Sequence, residues 1–125
     1  MGIFDGMMGN ASEASAQEVE KELSELLSPS ENVEHAYKLI RDLMVFTNRR
    51  LIFVDKQGVT GKKISYHSIP YKGITHFSVE TAGTFDLEAE LKIWISGSVE
   101  PIQKTFNKQL NIYKVQRVLA DYVSR

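Results

Sequence analysis

The chain has no cysteine. That excludes a disulfide framework, a thiolate metal site and a cysteine nucleophile, and it leaves packing as the source of stability. The absence suits a reducing cytoplasm. Excess charge is also missing, since 15 Lys and Arg stand against 16 Asp and Glu for a net charge of −1. A chain so balanced has no overall field to hold nucleic acid or an anionic bilayer, and such binding would need a local patch. No run approaches the roughly 18 to 20 apolar residues of a spanning helix. The opening MGIFDGMMGNASE has neither the basic nor the apolar region of a signal peptide. N-myristoylation at Gly2 wants Ser or Thr at the sixth position, where Gly6 stands. The expectation is a cytoplasmic protein, neither exported nor inserted.

What is present is a globular composition, 42% hydrophobic and 25% charged over 125 residues, the size of one domain. SAQEVEKELSELL, residues 15–27, reads as a short helix: Ser15 and Glu18 make a capping box, and Val19, Leu23, Leu26 and Leu27 share one face. SPSEN, residues 28–32, interrupts it with Pro29. Residues 1–28 are therefore read as an N-terminal extension with a short amphipathic helix, and residues 29–125 as the main domain.

Beyond the connector the period becomes strand-like, and about seven strands are expected. They fall near residues 33–40, 43–46, 51–54, 62–66, 73–81, 85–95 and 101–106. FDLEAELKIWI is the clearest, with Phe85, Leu87, Ala89, Leu91, Ile93 and Ile95 on one face and Asp86, Glu88, Glu90, Lys92 and Trp94 on the other. That alternation marks an antiparallel strand with core on one side and solvent on the other. The ending NIYKVQRVLADYVSR switches to helical period, with Asn111 as N-cap and Ile112, Val115, Val118, Leu119, Tyr122 and Val123 as the apolar stripe. The fold class is thus mainly β with two helices (α+β), its strands closing on themselves or forming two packed layers, with the last helix covering one end.

The order of seven strands and one C-terminal helix is that of pleckstrin-homology-like domains. MGIFDGMMGNASE, AYKLIRDLMVFTNRRLIFVDKQGVTGKKISY, SIPYKGITHFSVETAGTFDLEAELKIWISG and IYKVQRVL, in order and in register, resemble the single-domain bacterial pleckstrin-homology family, long catalogued as a domain of unknown function. The resemblance runs from residue 1 to about residue 119. It implies a partly open barrel of two near-orthogonal antiparallel sheets plugged by the last helix. It further implies a non-enzymatic cytoplasmic protein that forms symmetric homo-oligomeric rings, with five subunits preferred. It implies no ligand.

Catalysis finds little support in the residues. A hydrolase needs a cleft where a histidine meets a carboxylate and a hydroxyl. His35, His67 and His76 are the only histidines, each in or beside an expected strand. No two have helical metal-ligand spacing, and the glycines form no phosphate-binding loop. Catalytic, cofactor and metal sites are therefore each read as none.

Two surfaces are singled out. Trp94 sits among charged residues on the outer face of its strand, and an exposed aromatic there marks a contact surface, with Leu23 and Leu27 of the lead helix as a second apolar surface. The competing readings place Trp94 under the lead helix or at a bend, and dock that helix on the chain's own barrel. Arg49, Arg50, Lys62 and Lys63 would form an anionic-ligand patch if two hairpins brought them together. The two arginines are read instead as the polar tip of a hairpin. The expected function is a binding and scaffolding module acting as a homo-oligomer on an unknown protein partner. Nucleic acid is excluded as a partner, and membrane lipid is the alternative.

Overall fold

A computed structural model describes residues 13–39, 42–57, 63–81, 88–107 and 111–125. Ser15 opens helix α1 (Ala16–Glu22), its hydroxyl accepting the Glu18 amide at 3.3 Å. The helix stops well short of the expected residue 27. Tighter turns follow, with the Leu26 amide donating to the Leu23 carbonyl at 2.8 Å. Two features bar any further helical turn beyond these: Pro29 lacks the amide that a continuing helix would aim at Glu25, and the Arg50 guanidinium takes the Leu26 carbonyl at 2.8 Å. Val19 and Leu23 consequently point into the protein and are buried, whereas Leu26 turns outward and is 37% exposed. The expected face of Val19, Leu23, Leu26 and Leu27 is therefore broken at Leu26.

Strands β1 (Val33–Lys38), β2 (Asp42–Thr47), β3 (Arg50–Gln57) and β4 (Lys63–Pro70) form one antiparallel sheet in that order. Every residue of β2 is buried. Alternation along these strands sends Tyr37, Met44, Phe46, Leu51, Phe53 and Ile69 to the inner face. Val33, Ala36, Leu43, Val45, Ile52 and Val54 go to the outer face, where Val19 and Leu23 of α1 pack over them. A strand covered on both sides reads as a continuous apolar run, which is why LMVF shows no alternation.

A single 3-10 turn (Tyr71–Gly73) leads to the second antiparallel sheet: β5 (Ile74–Thr81), β6 (Glu88–Ile95) and β7 (Ile102–Asn107). The pairing of β5 with β6 shifts register between Ile74 and His76. On β6 the expected alternation holds, with Leu91 and Ile93 buried and Glu90 exposed. Phe85 and Leu87 lie outside the described residues. Gly97, at φ 87, turns β6 towards β7, a left-handed conformation that an L side chain rarely adopts.

Helix α2 (Ile112–Val123) is capped as expected: the Asn111 side-chain oxygen accepts the Tyr113 and Lys114 amides at 3.1 and 3.2 Å. Its Ile112, Val115, Leu119 and Tyr122 join the inner faces of both sheets in one cluster with Phe106, Leu91 and Phe53. Among the described residues one ion pair reaches this interior. Lys104 of β7 follows the inward series Ile102, Lys104, Phe106 and pairs with the buried carboxylate of Asp42. Its ammonium also lies 5.0 Å from the Phe53 ring centre. Asp42 stands directly opposite Asp55, so the lysine offsets a like-charge pair and ties the first sheet to the second.

Docking of α1 on the chain's own sheet has a measurable consequence. Leu23→Ala should lower the unfolding free energy by about 2–4 kcal/mol in urea titration, while Leu26→Ala should change it by less than about 0.5 kcal/mol. Equal effects would place Leu23 outside the core.

Candidate functional site

The turn between β2 and β3, Thr47-Asn48-Arg49-Arg50, organises the polar groups at one end of the first sheet. The Thr47 hydroxyl accepts the amides of Arg49 (3.0 Å) and Arg50 (2.9 Å), which fixes the turn. The same hydroxyl lies 2.6 Å from a Glu31 carboxylate oxygen, to which it donates. Asn48 reaches the connector: its side chain accepts the Asn32 amide at 2.8 Å and donates to the Ser30 carbonyl at 3.1 Å. Arg49 donates to the Ser30 hydroxyl.

Arg50 is not a free tip residue. Its guanidinium meets Glu31 through Nε at 2.9 Å and Nη2 at 3.0 Å, and reaches the Ser68 hydroxyl of β4 through Nη1 at 3.0 Å. The Glu31 side chain is only 2% exposed. Burial by itself pushes its carboxyl up, but hydrogen bonds from Arg50, Thr47 and the Ser28 amide, with the Arg50 charge, prevail and hold it at about 2 against an ordinary 4.5. The arginines therefore mark a reversal, as expected, yet Arg50 serves as a grip on the chain's own connector. Sequence reasoning passed over Glu31. Its signal was the Ser28-x-x-Glu31 spacing just before a strand, here realised as a Ser28 amide donating to Glu31 at 3.0 Å.

Of the cations considered as an anion patch, the described Arg50 and Lys63 are not brought together. Arg50 pairs with Pro70 at one end of the β3–β4 ladder and Lys63 with Gln57 at the other, roughly 20 Å away at the usual rise per residue. Lys62 lies outside the described residues. Of the apolar candidates, Leu23 is spent on the chain's own sheet and Leu27 is half-buried against the same cluster.

Trp94 keeps its outward position. It lies on β6 opposite His76 of β5, and the two rings stack with centres 4.3 Å apart and planes 14° from parallel. The Thr75 hydroxyl secures the pair from below, 3.0 Å from His76 Nδ1 and 3.2 Å from the Trp94 carbonyl, to which it donates. Around them Ser78, Glu80, Glu90, Lys92, Gln103 and Thr105 share the outward face by register. Among the described residues neither helix packs on this face, in contrast to the outer face of the first sheet.

The histidines do not assemble a reactive centre among the described residues. His35 lies in an aromatic cluster, stacked 6.3 Å from Tyr37 and edge-on to Phe46 and Tyr122. His67 is exposed on β4, and His76 has a hydroxyl and an indole beside it but no carboxylate bonded to it. No group of three His, Asp or Glu side chains among the described residues is placed to hold a metal ion.

Four strands and three strands in two facing antiparallel sheets, with a C-terminal helix packed into the gap, define a pleckstrin-homology-like barrel. The profile of the bacterial PH domain family matches residues 2–123, and the chain belongs to that family. It is 59% identical over 121 residues to the uncharacterized protein YjqA of Bacillus subtilis (strain 168), covering 96% of this chain and 97% of that protein. A crystal structure of a DUF1696 family protein with a pleckstrin-homology domain, from Shewanella loihica PV-4, matches at 52% identity and TM-score 0.80, over 90% of this chain and 96% of that one. The pleckstrin homology domain of Shewanella amazonensis SB2B matches at 53% identity and TM-score 0.82, over 89% and 100% of the two chains.

The Arg50–Glu31 clamp can be titrated. Its folded carboxyl value lies below the unfolded 4.5, so the stabilisation is complete above that pH and is lost as pH falls from there through about 2. The pH-dependent part amounts to ~3 kcal/mol. Glu31→Gln should therefore destabilise by about 2–3 kcal/mol in urea at pH 7, with the gap from the parent narrowing between pH 4.5 and 2. A gap that stays constant over this range would show that the charge contributes nothing.

Proposed function

We propose that the chain is a non-enzymatic cytoplasmic module that binds other proteins and works as a homo-oligomer, with a closed ring of five subunits the preferred assembly. The observation that carries this reading is the outer face of the second sheet, which no helix covers among the described residues, with the stacked Trp94–His76 pair on it. A large aromatic held rigid in a field of short polar and charged side chains has the composition of a protein contact: an apolar anchor with a polar rim. The first sheet spends its outer face on α1, whereas among the described residues nothing packs on that of the second. A patch on one subunit that meets a different patch on the next closes into a ring when the rotation divides the circle.

Peripheral attachment to anionic lipid is the alternative. It draws no support from the cations: Arg50 is engaged with Glu31, Leu26 and Ser68, Arg49 with Ser30, and Lys63 stands at the far end of the ladder. No helix among the described residues is long and apolar enough to cross a membrane.

Multi-angle light scattering of the Trp94→Ala chain should give a folded protein of lower mass than the parent; an unchanged mass would remove Trp94 from any subunit contact. In sedimentation with vesicles of phosphatidylcholine and phosphatidylserine, the parent should stay in the supernatant at low and high salt. Salt-sensitive pelleting would revive the lipid reading.

A further inference from the structure

Strand β4 is the last strand of the first sheet, and among the described residues nothing pairs with its outer edge. A row of unpaired backbone donors and acceptors eight residues long is a template for another strand. Native proteins usually blunt such an edge with lysine, proline or a cover. Here Lys63 and Pro70 stand only at its two ends, and the middle reads Ile-Ser-Tyr-His-Ser-Ile.

The side chains beside that edge are unusual in the same place. By register Ile64, Tyr66 and Ser68 lie on the face that α1 covers, next to Val54 and Ile52. Yet α1 stops short of β4, leaving Ile64 at 40%, Tyr66 at 44% and Leu26 at 37% exposure. Between the helix and the strand runs an open groove of about 920 Å³, with Leu23, Leu26 and Tyr66 in its walls. Its remaining lining is Glu18, Glu22 and Glu25 against Lys21, with Ser24, so three carboxylates face one ammonium. None of the three makes an ion pair among the described residues. Glu18 and Glu22 stand four apart on one helix, a like-charge spacing that costs helix stability. The chain carries this repulsion beside an apolar groove and an open strand edge, with Lys21 the one cation lining the groove among the described residues.

We propose that the groove between α1 and β4 takes an extended segment of a partner protein, one that alternates apolar residues with Lys or Arg. The segment adds to β4 as a further strand of the first sheet. Its backbone pairs with the β4 edge, its apolar side chains bury Ile64, Tyr66 and Leu26, and its cations neutralise Glu18, Glu22 and Glu25. This surface lies on a different sheet from Trp94, so the inference stands independently of the subunit contact proposed above.

A library of random octapeptides displayed on phage, panned against the full chain at low salt, tests it. Peptides that alternate β-branched or aromatic residues with Lys or Arg should be enriched. A synthetic peptide of that pattern should bind at least about tenfold more weakly when salt rises from roughly 50 to 500 mM. Binding should disappear when alternate amides along one edge of the peptide are N-methylated, and should weaken about tenfold in Tyr66→Ser, with folding checked by a thermal melt. Combining Glu18→Lys, Glu22→Lys and Glu25→Lys should switch the preference to Glu-bearing peptides, a gain that unfolding cannot mimic. No enrichment, enrichment without basic residues, or binding unmoved by Tyr66→Ser would overturn the proposal. A fall in oligomer mass in Tyr66→Ser would overturn it too, by showing that a second copy fills the groove.

Discussion

The guanidinium of Arg50 joins three parts of the chain that share no secondary structure: the turn after α1 through the Leu26 carbonyl, the connector through Glu31, and β4 through Ser68. Each partner alone would be a modest contact. Together they hold the turn after α1, the connector and β4 at one point, beside the outer-face cluster that takes up Val19 and Leu23. A buried carboxylate without its arginine would carry a desolvation cost that few hydrogen bonds repay. With Arg50, Thr47 and Ser28 all donating, Glu31 instead becomes the fixed point around which the connector folds. The four residues Thr47 to Arg50 therefore have an architectural task, holding the cover of the first sheet in place.

That cover makes the two sheets unequal. The first is apolar on both faces and is sealed by α1 and the common core; the second is apolar only inside. The inner cluster and α2 tie them together, and the Lys104–Asp42 pair adds a directional bond across the interior. The inequality has a plain consequence: among the described residues no helix covers the outer face of the second sheet, and no strand pairs with the outer edge of β4.

How much of this is legible in the sequence differs element by element, for physical reasons. Strand β6 is plain because one side faces oil and the other water, so its residues alternate. The Asn111 cap and the stripe of α2 are plain for the same reason, at helical period. The length of α1 is not, because the turns that follow it are held by contacts from far along the chain, among them Arg50 on the Leu26 carbonyl 24 residues away. The isolated dipeptide Arg49-Arg50 looks like a solvated tip, since nothing nearby in sequence reveals that Glu31 will be buried beside it. Lys104 escapes notice likewise: its place in the inward series Ile102, Lys104, Phe106 is a signal, but the partner that makes it tolerable lies 62 residues away. The outward position of Trp94 follows directly from alternation, while its stacking on His76 needs the β5–β6 register, which no local pattern specifies.

The shift of register between Ile74 and His76 bears on how this protein behaves when crowded. β5 is a border strand of a sheet whose outer face no helix covers among the described residues, an arrangement open to sheet-to-sheet stacking. An irregularity there kinks the border and spoils the even ladder that a fibril would copy. Glu80, Glu90 and Lys92 add scattered charge to the adjoining surface. The irregularity beside the stacked imidazole and indole thus guards that border against amyloid-like growth.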